Sequence, residues 1–251
     1  MEIYKRSETG RVRKINQDFA IEKVFGEYCA FIGVFDGVGG IQGGETASHT
    51  AGFTICSYIE KNSEALCKDN LEILLKQAFN EANEKIIEKG RETDLIGLST
   101  TAVAALIFGS TVCVAHIGDS RAYLLDETKF KQITVDHSVV QKMIESGGIS
   151  ENEAMSHPNK NLITRALGME NSDPEINFFI MSQKDKLLLC TDGLTNYAEN
   201  EKIESIMRQN STLKETAENL INFANESGGS DNITVALIRL NGGMDFGQEI
   251  T

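Results

Sequence analysis

The chain has 251 residues, 41% of them hydrophobic, and a formal net charge of −13. That length suits one large domain with a full core, and the acidic balance argues against a nucleic-acid footprint or an anionic membrane surface as partner. With only two prolines, Pro158 and Pro174, and no Ser/Gly tract, residues 1–240 are expected to form a single domain, followed by a C-terminal tail at 241–251.

In chain order, residues 1–18 carry charges throughout and no apolar signal-like run. Residues 19–25 and 28–35 read as strands around Gly26-Glu27, and 44–60 as a helix. A second helix is expected over 71–88, where Leu71, Leu74, Leu75, Ala78, Phe79, Ala82 and Ile86 form one apolar stripe. Residues 101–108, 111–117 and 122–125 read as strands joined by short turns, which predicts antiparallel neighbours. The uncharged run through 102–117 is too short to cross a bilayer and is broken at Gly109-Ser110-Thr111. A helical stretch at 138–146 precedes a polar stretch, 146–182, that holds both prolines and reads as a mobile loop or small insert. A strand at 186–191, helices at 200–208 and 212–227, and a strand at 233–240 follow. Antiparallel runs with helices between them make an α+β pattern, which two stacked sheets with helices outside would satisfy.

Four apolar runs border a glycine-flanked aspartate: Asp36-Gly37, Gly118-Asp119, Asp192-Gly193 and Gly228-Gly229-Ser230-Asp231. Glycine beside a strand end lets the backbone turn and leaves the carboxylate at the sheet rim. Each Asp-Gly alone is an ordinary turn. Four gathered at one rim would repel, by about 4 kcal/mol per pair about 4 Å apart at an effective dielectric near 20. Divalent cations remove that cost, and carboxylate and carbonyl ligands without Cys or His suit Mg²⁺ or Mn²⁺ better than Zn²⁺.

Competing chemistries lack their motifs. No Gly-x-Ser-x-Gly elbow, His-Glu-x-x-His pair, Walker loop or Cys-x5-Arg loop is present. The segment from Val34 to Gly52 imitates the dinucleotide fingerprint of an oxidoreductase, but Gly37-x-Gly39-x-x-Gln42 lacks the third glycine and Asp36 would oppose a pyrophosphate. The five cysteines show no Cys-x-x-Cys spacing and suit a reducing cytoplasm. His116 reads as a core residue, His49 as structural, and His137 as a helix cap or a support for the site.

The ordered set Gly10-Arg-Val-Arg-Lys-Ile-Asn-Gln-Asp18, Asp36-Gly-Val-Gly-Gly40, Gly43-Gly-Glu-Thr-Ala-Ser48, Ser99-Thr-Thr101, Ile117-Gly-Asp-Ser-Arg-Ala122, Asp136-His-Ser138, Ile163-Thr-Arg-Ala-Leu-Gly168, Thr191-Asp-Gly-Leu194 and Ser230-Asp-Asn-Ile-Thr234 resembles the metal-dependent serine/threonine protein phosphatases of type 2C, in their compact bacterial form. The resemblance covers about 1–240 and implies a four-layer α-β-β-α sandwich with two antiparallel sheets. It implies hydrolysis of phosphoserine and phosphothreonine on proteins by a water bridging two Mn²⁺ or Mg²⁺ ions, opposing a serine/threonine kinase, in a cytoplasmic monomer.

Residue by residue, the resemblance has Asp36 bridging both ions, the Gly37 carbonyl binding one, Asp192 and Asp231 completing the set, and Asp119 with Asp192 holding a third, weaker ion. Gln17, Asp18 and Asn232 would support these ligands, and Arg13 would grip phosphate with a planar fork that lysine cannot copy. Residues 146–182 match a variable flap carrying His157. Arg165 is either a substrate contact or a structural ion-pair residue. Val38 departs from the animal pattern, in which a histidine there is a proposed general acid. A catalytically silent phosphoprotein-binding scaffold of the same fold would have lost a metal aspartate, and this sequence retains all four.

Overall fold

The computed structural model describes residues 1–38, 43–93, 95, 97–170 and 172–240. Gly39, Gly40 and Gln42 of the glycine-rich motif and the tail 241–251 lie outside the described residues.

The strands are β1 (Glu2–Glu8), β2 (Asp18–Phe25), β3 (Cys29–Val38), β4 (Ser99–Thr100), β5 (Ala102–Phe108), β6 (Thr111–Ile117), β7 (Arg121–Leu125), β8 (Phe130–Gln132), β9 (Glu175–Ile180), β10 (Lys186–Cys190) and β11 (Ile233–Arg239). They form two sheets, ordered β1-β11-β10-β7-β8 and β2-β3-β5-β6-β9, with β4 paired to the end of β3. The helices are α1 (Gly43–Lys61), α2 (Leu71–Thr93), α3 (Val139–Glu145), α4 (Glu151–Met155), α5 (Asp192–Thr195), α6 (Asn200–Met207) and α7 (Leu213–Glu226).

Strand periodicity explains the layers. Along β3, Ile32 and Val34 point into a core between the sheets with Val103, Leu187 and Ile238, while Phe31 and Phe35 point the other way, into a core with Ile55, Leu75 and Phe79 of α1 and α2. Both faces of β3 are therefore covered, and its sequence is apolar throughout rather than alternating. On the far side, Leu188, Val235 and Leu237 pack with Ile203 of α6 and Leu220 of α7. The result is the expected α-β-β-α sandwich. Among the described residues no helix is long and apolar enough to cross a membrane.

Two expectations need correction, and β1 adds a strand where the sequence signals show none. The strands at 111–117 and 122–125 are not neighbours: β6 pairs with β5 and β9, whereas β7 pairs with β10 and β8 in the opposite sheet. The link between them crosses the sandwich at Gly118, whose φ of +104° suits glycine, and carries Asp119 to the rim between the sheets. Residues 146–182 are not all loop, since β9 completes a sheet and Leu167 exchanges backbone hydrogen bonds with Thr100 at 2.9 and 3.0 Å. Finally, the charged start of the chain contains β1, an edge strand on β11; its charges suit an edge, where one side meets water.

The crossing sets a testable contrast. Gly118 and Gly147 both have positive φ, but a Cβ at Gly118 would lie 2.6 Å from the Thr101 side chain, whereas one at Gly147 would meet nothing within 4 Å. Gly147→Ala is expected to cost roughly 1–2 kcal/mol from backbone strain alone, and Gly118→Ala clearly more. Urea unfolding of the two variants measures the difference; equal losses would refute the steric account.

Candidate metal centre

Strand ends from both sheets deliver the acidic residues to one rim. Asp18 opens β2 and stands opposite Asp36 of β3 in the antiparallel register. Asp119 sits on the crossing, Asp192 is the first residue of α5, and Asp231 lies just before β11. The Asp36 main chain is held firmly: its N–H donates to Thr101 Oγ1 at 3.1 Å, and its carbonyl accepts from Thr100 Oγ1 at 2.8 Å and Thr101 N at 2.9 Å. Asn196 Nδ2, one turn along from Asp192, donates to Asp192 Oδ2 at 2.9 Å. Asn232 accepts from Gln17 N at 2.8 Å and donates to the carbonyls of Thr9 and Ile15, fastening the 9–17 segment against Asp231.

The glycines serve a different purpose from the expected sharp turns at two of the four sites. Gly37 continues β3, and its φ is not in the left-handed range; a Cβ there would come within 2.2 Å of Gly44 O and 2.7 Å of Gln17 O. Gly193 lies within α5, where a Cβ would sit 1.9 Å from Asn232 O. Both permit backbones to approach closely at the rim.

Like charges dominate the electrostatics. Burial pushes the Asp36 carboxyl well above the usual range, and the neighbouring Asp18, Asp192, Asp119 and Asp231 add to it. Asp119 is raised by burial and then by Asp192 and Asp136, and Asp192 by burial and then Asp231. Asp18 is raised to about 7, chiefly by burial, against the pull of its Thr234 and Thr191 hydrogen bonds. Its Oδ2 accepts from both hydroxyls, whereas Oδ1, like Asp192 Oδ1, is buried with no partner among the described residues. Two orphaned carboxylate oxygens inside an all-oxygen cluster of like charges fit a hard divalent cation such as Mn²⁺ or Mg²⁺.

The other sequence candidates fall into place around this cluster. Arg13 Nη2 donates to Asp231 Oδ2 at 2.8 Å while the arginine side chain stays half exposed, 52%. Arg165 bonds instead to Glu175 and to the Asp173 carbonyl, beside His137, whose Nε2 donates to Glu175 Oε1 at 3.0 Å, the arrangement of a structural ion-pair residue. His157 bonds only locally among the described residues, accepting from Asn159 N at 3.1 Å. His137 Nδ1 accepts from Gly118 N at 3.1 Å, supporting the Asp119 turn. His116 is buried, with Nε2 bonded to the Val135 carbonyl and Nδ1 unpaired. His116, His137 and Glu175 offer ligand atoms within 4.8 Å of one another, but the Arg165 guanidinium, 3.2 Å from both His137 Nε2 and Glu175 Oε1, already brings positive charge there. The hydroxyl donors Thr191 and Thr234 were not among the sequence candidates, although both lie inside the quoted motifs.

The family model for protein phosphatase 2C matches residues 26–233. A serine/threonine phosphatase, stp, of Listeria innocua is 38% identical over 239 residues, 94% of each chain. The structure of the S. agalactiae serine/threonine phosphatase superposes with a TM-score of 0.87 at 33% identity, covering 96% of this chain and 99% of that one. The catalytic domain of the serine/threonine phosphatase PstP in complex with 2 manganese ions superposes with a TM-score of 0.81 at 32% identity, covering 94% and 96%. With the carboxylate rim on the sandwich that those phosphatases share, the chain belongs to the protein phosphatase 2C family.

Proposed function

We propose that the protein is a metal-dependent serine/threonine protein phosphatase acting on phosphorylated proteins, with Asp36, the Gly37 carbonyl, Asp192 and Asp231 holding two Mn²⁺ or Mg²⁺ ions. The observation that carries this reading is the gathering of mutually repelling carboxylates, two of them with a buried oxygen that has no partner among the described residues. When bound, such ions lower the pKa of attacking water and absorb charge on the phosphoryl oxygens. The chain's own residues do the rest. Asp36 is oriented by Thr100 and Thr101, and Asp192 by Asn196. Arg13, anchored beside Asp231, offers its remaining N–H donors to a phosphate at the mouth of the site. Asp119 with Asp192 is assigned to a third, weaker ion, and Gln17, Asp18 and Asn232 to support. Val38 has no proton to give a departing alkoxide.

Residues 1–240 then form one catalytic domain, with the outer part of 146–182, including His157, as a substrate-facing flap. Surface acidity and the absence of a long apolar helix among the described residues suit a cytoplasmic monomer opposed by a serine/threonine kinase.

Asp36→Asn is expected to lower Mn²⁺-dependent hydrolysis of p-nitrophenyl phosphate by more than roughly a hundredfold, beyond the usual cost of losing a supporting partner. Full wild-type turnover in excess chelator would reject the reading. Arg13→Ala should raise KM more than it lowers kcat if Arg13 grips ground-state phosphate; a change confined to kcat reassigns it to the transition state.

A pH dependence follows from the raised carboxyls. In the cation-free protein the folded state binds more protons than the unfolded one between the ordinary carboxyl range near pH 4 and the value of about 7 for Asp18. Their contribution to stability is complete below that window and is lost as pH rises through it. The melting temperature of chelated protein should therefore fall from pH 5.5 to 8, and saturating Mn²⁺ should raise it most at pH 8. A chelated melting temperature that climbs across this interval would contradict the assignment.

A further inference from the structure

Asp18 lies beneath the proposed cation ligands, and every hydrogen bond around its inner oxygen has a fixed direction. Thr191 Oγ1 accepts the Thr234 amide proton at 3.0 Å, so its own hydroxyl proton goes to Asp18 Oδ2, 2.9 Å away. Thr234 Oγ1 lies 2.7 Å from the same oxygen and 2.7 Å from Ser7 Oγ. With Asp18 ionised, the form in which it would face cations, its oxygens only accept, so Thr234 donates to it and accepts from Ser7. Ser7 Oγ in turn accepts from Asn16 Nδ2 at 2.7 Å, and Asn16 Oδ1 accepts from the Asp18 amide at 3.2 Å. The ring of bonds begins and ends on Asp18.

Thr191 makes the arrangement more telling. It is the N-cap of α5, yet its side chain makes no hydrogen bond to that helix, although making that bond is the reason threonine is favoured at such positions. Both its capacities are used on Thr234 and Asp18 instead. Thr191 and Thr234 are fully buried, so neither hydroxyl has water as an alternative. Thr234 lies in β11 and Thr191 directly follows β10, two strands of the sheet opposite the one that carries Asp18.

The consequence falls on the other carboxylate oxygen. With Oδ2 held by two donors the plane of the carboxyl is set, and Oδ1 is left buried without a partner. We propose that Thr191 and Thr234 are positioning residues that pin one oxygen of Asp18 and so present the other to the hydrated divalent cations held by Asp36, Asp192 and Asp231. The proposal rests on the metal-phosphatase reading above.

The test is calorimetric titration of chelated and dialysed protein with Mn²⁺, beside the unfolding midpoint of the cation-free form. Wild-type binding is the control: no binding there would defeat the metal reading itself, independently of the threonines. Thr191→Val and Thr234→Val keep the shape and delete the donor, and each is expected to weaken Mn²⁺ binding about tenfold, the low end for a partner that orients a ligand. Thr191→Ser and Thr234→Ser keep the hydroxyl and should stay within about threefold of wild type. A folded valine variant that binds Mn²⁺ like wild type would overturn the proposal, as would serine variants as weak as the valine ones, which would assign the effect to methyl packing. If the valine variants do not fold, Asp18→Asn serves. Its amide oxygen alone can accept both hydroxyls, turning the NH₂ to the Oδ1 position, so Mn²⁺ affinity should drop at least about tenfold with unchanged circular dichroism. Wild-type affinity in that variant would overturn the proposal.

Discussion

Mutual repulsion among carboxylates at one rim of the sandwich is the constraint on which the rest of the structure depends. Asp18, Asp36, Asp119 and Asp192 all have their carboxyls pushed upward by burial and by one another. A fold selected only for stability would separate them or pair them with cations of its own. Among the described residues, Arg13 is the one cationic side chain in an ion pair with the group, at Asp231, while the buried Arg121 is committed to Asp136 by bonds of 2.7 and 2.8 Å. The charge is left for something that the chain does not itself provide, as is usual where function outranks local stability.

Holding such a cluster together requires scaffolding that does not depend on the aspartates. The two sheets are tied across by the inter-sheet core, so the strand ends stay in place whatever the carboxylates prefer. At the rim itself the backbones come closer than any side chain would allow: Gly37 against Gly44, and Gly193 against Asn232. Local hydrogen bonds then fix the Asp36 main chain through Thr100 and Thr101, and hold the carboxylates of Asp192 through Asn196 and of Asp18 through the two buried threonines. Asp36 and Asp192 lie in regular elements, while Asp119 and Asp231 lie on short links at strand ends, which suits a site that must keep its geometry when charge is added.

Much of this was legible in the sequence, and the failures are physical. Long periodic elements were the clearest: the α2 stripe and the doubly covered strands β3, β5 and β6 follow directly from apolar spacing. The aspartates stood out because glycine flanked each one, but the reason for the glycine differed by site. Gly118 does turn the chain, whereas Gly37 and Gly193 are there because another backbone occupies the space of a Cβ. That distinction is tertiary and cannot be read from a local string. The same holds for the link from β6 to β7: a short connection favours a hairpin, and only the opposite sheet's need for a partner to β10 shows that the chain crosses over. The threonines escaped notice because a buried hydroxyl acquires a role only from its partners, here two strands far apart in sequence.

The segment from 138 to 182, which holds α3 and the 146–182 insert, combines firm and loose parts. Its base is fixed by the paired backbone bonds of Leu167 with Thr100, by β9 along β6, and by Glu175, which accepts from both Arg165 and His137 Nε2. His137 continues that connection to the Gly118 amide, so the base of the insert is bonded to the turn that carries Asp119. The tip has much less to hold it. Helix α3 buries no residue completely and α4 only Ala154, while Met155 and Leu162 are more than half exposed, at 58% and 53%. Segments with few buried apolar contacts occupy the low end of local stability. Local opening is therefore expected first at the tip, with the bonded base lying between it and Asp119.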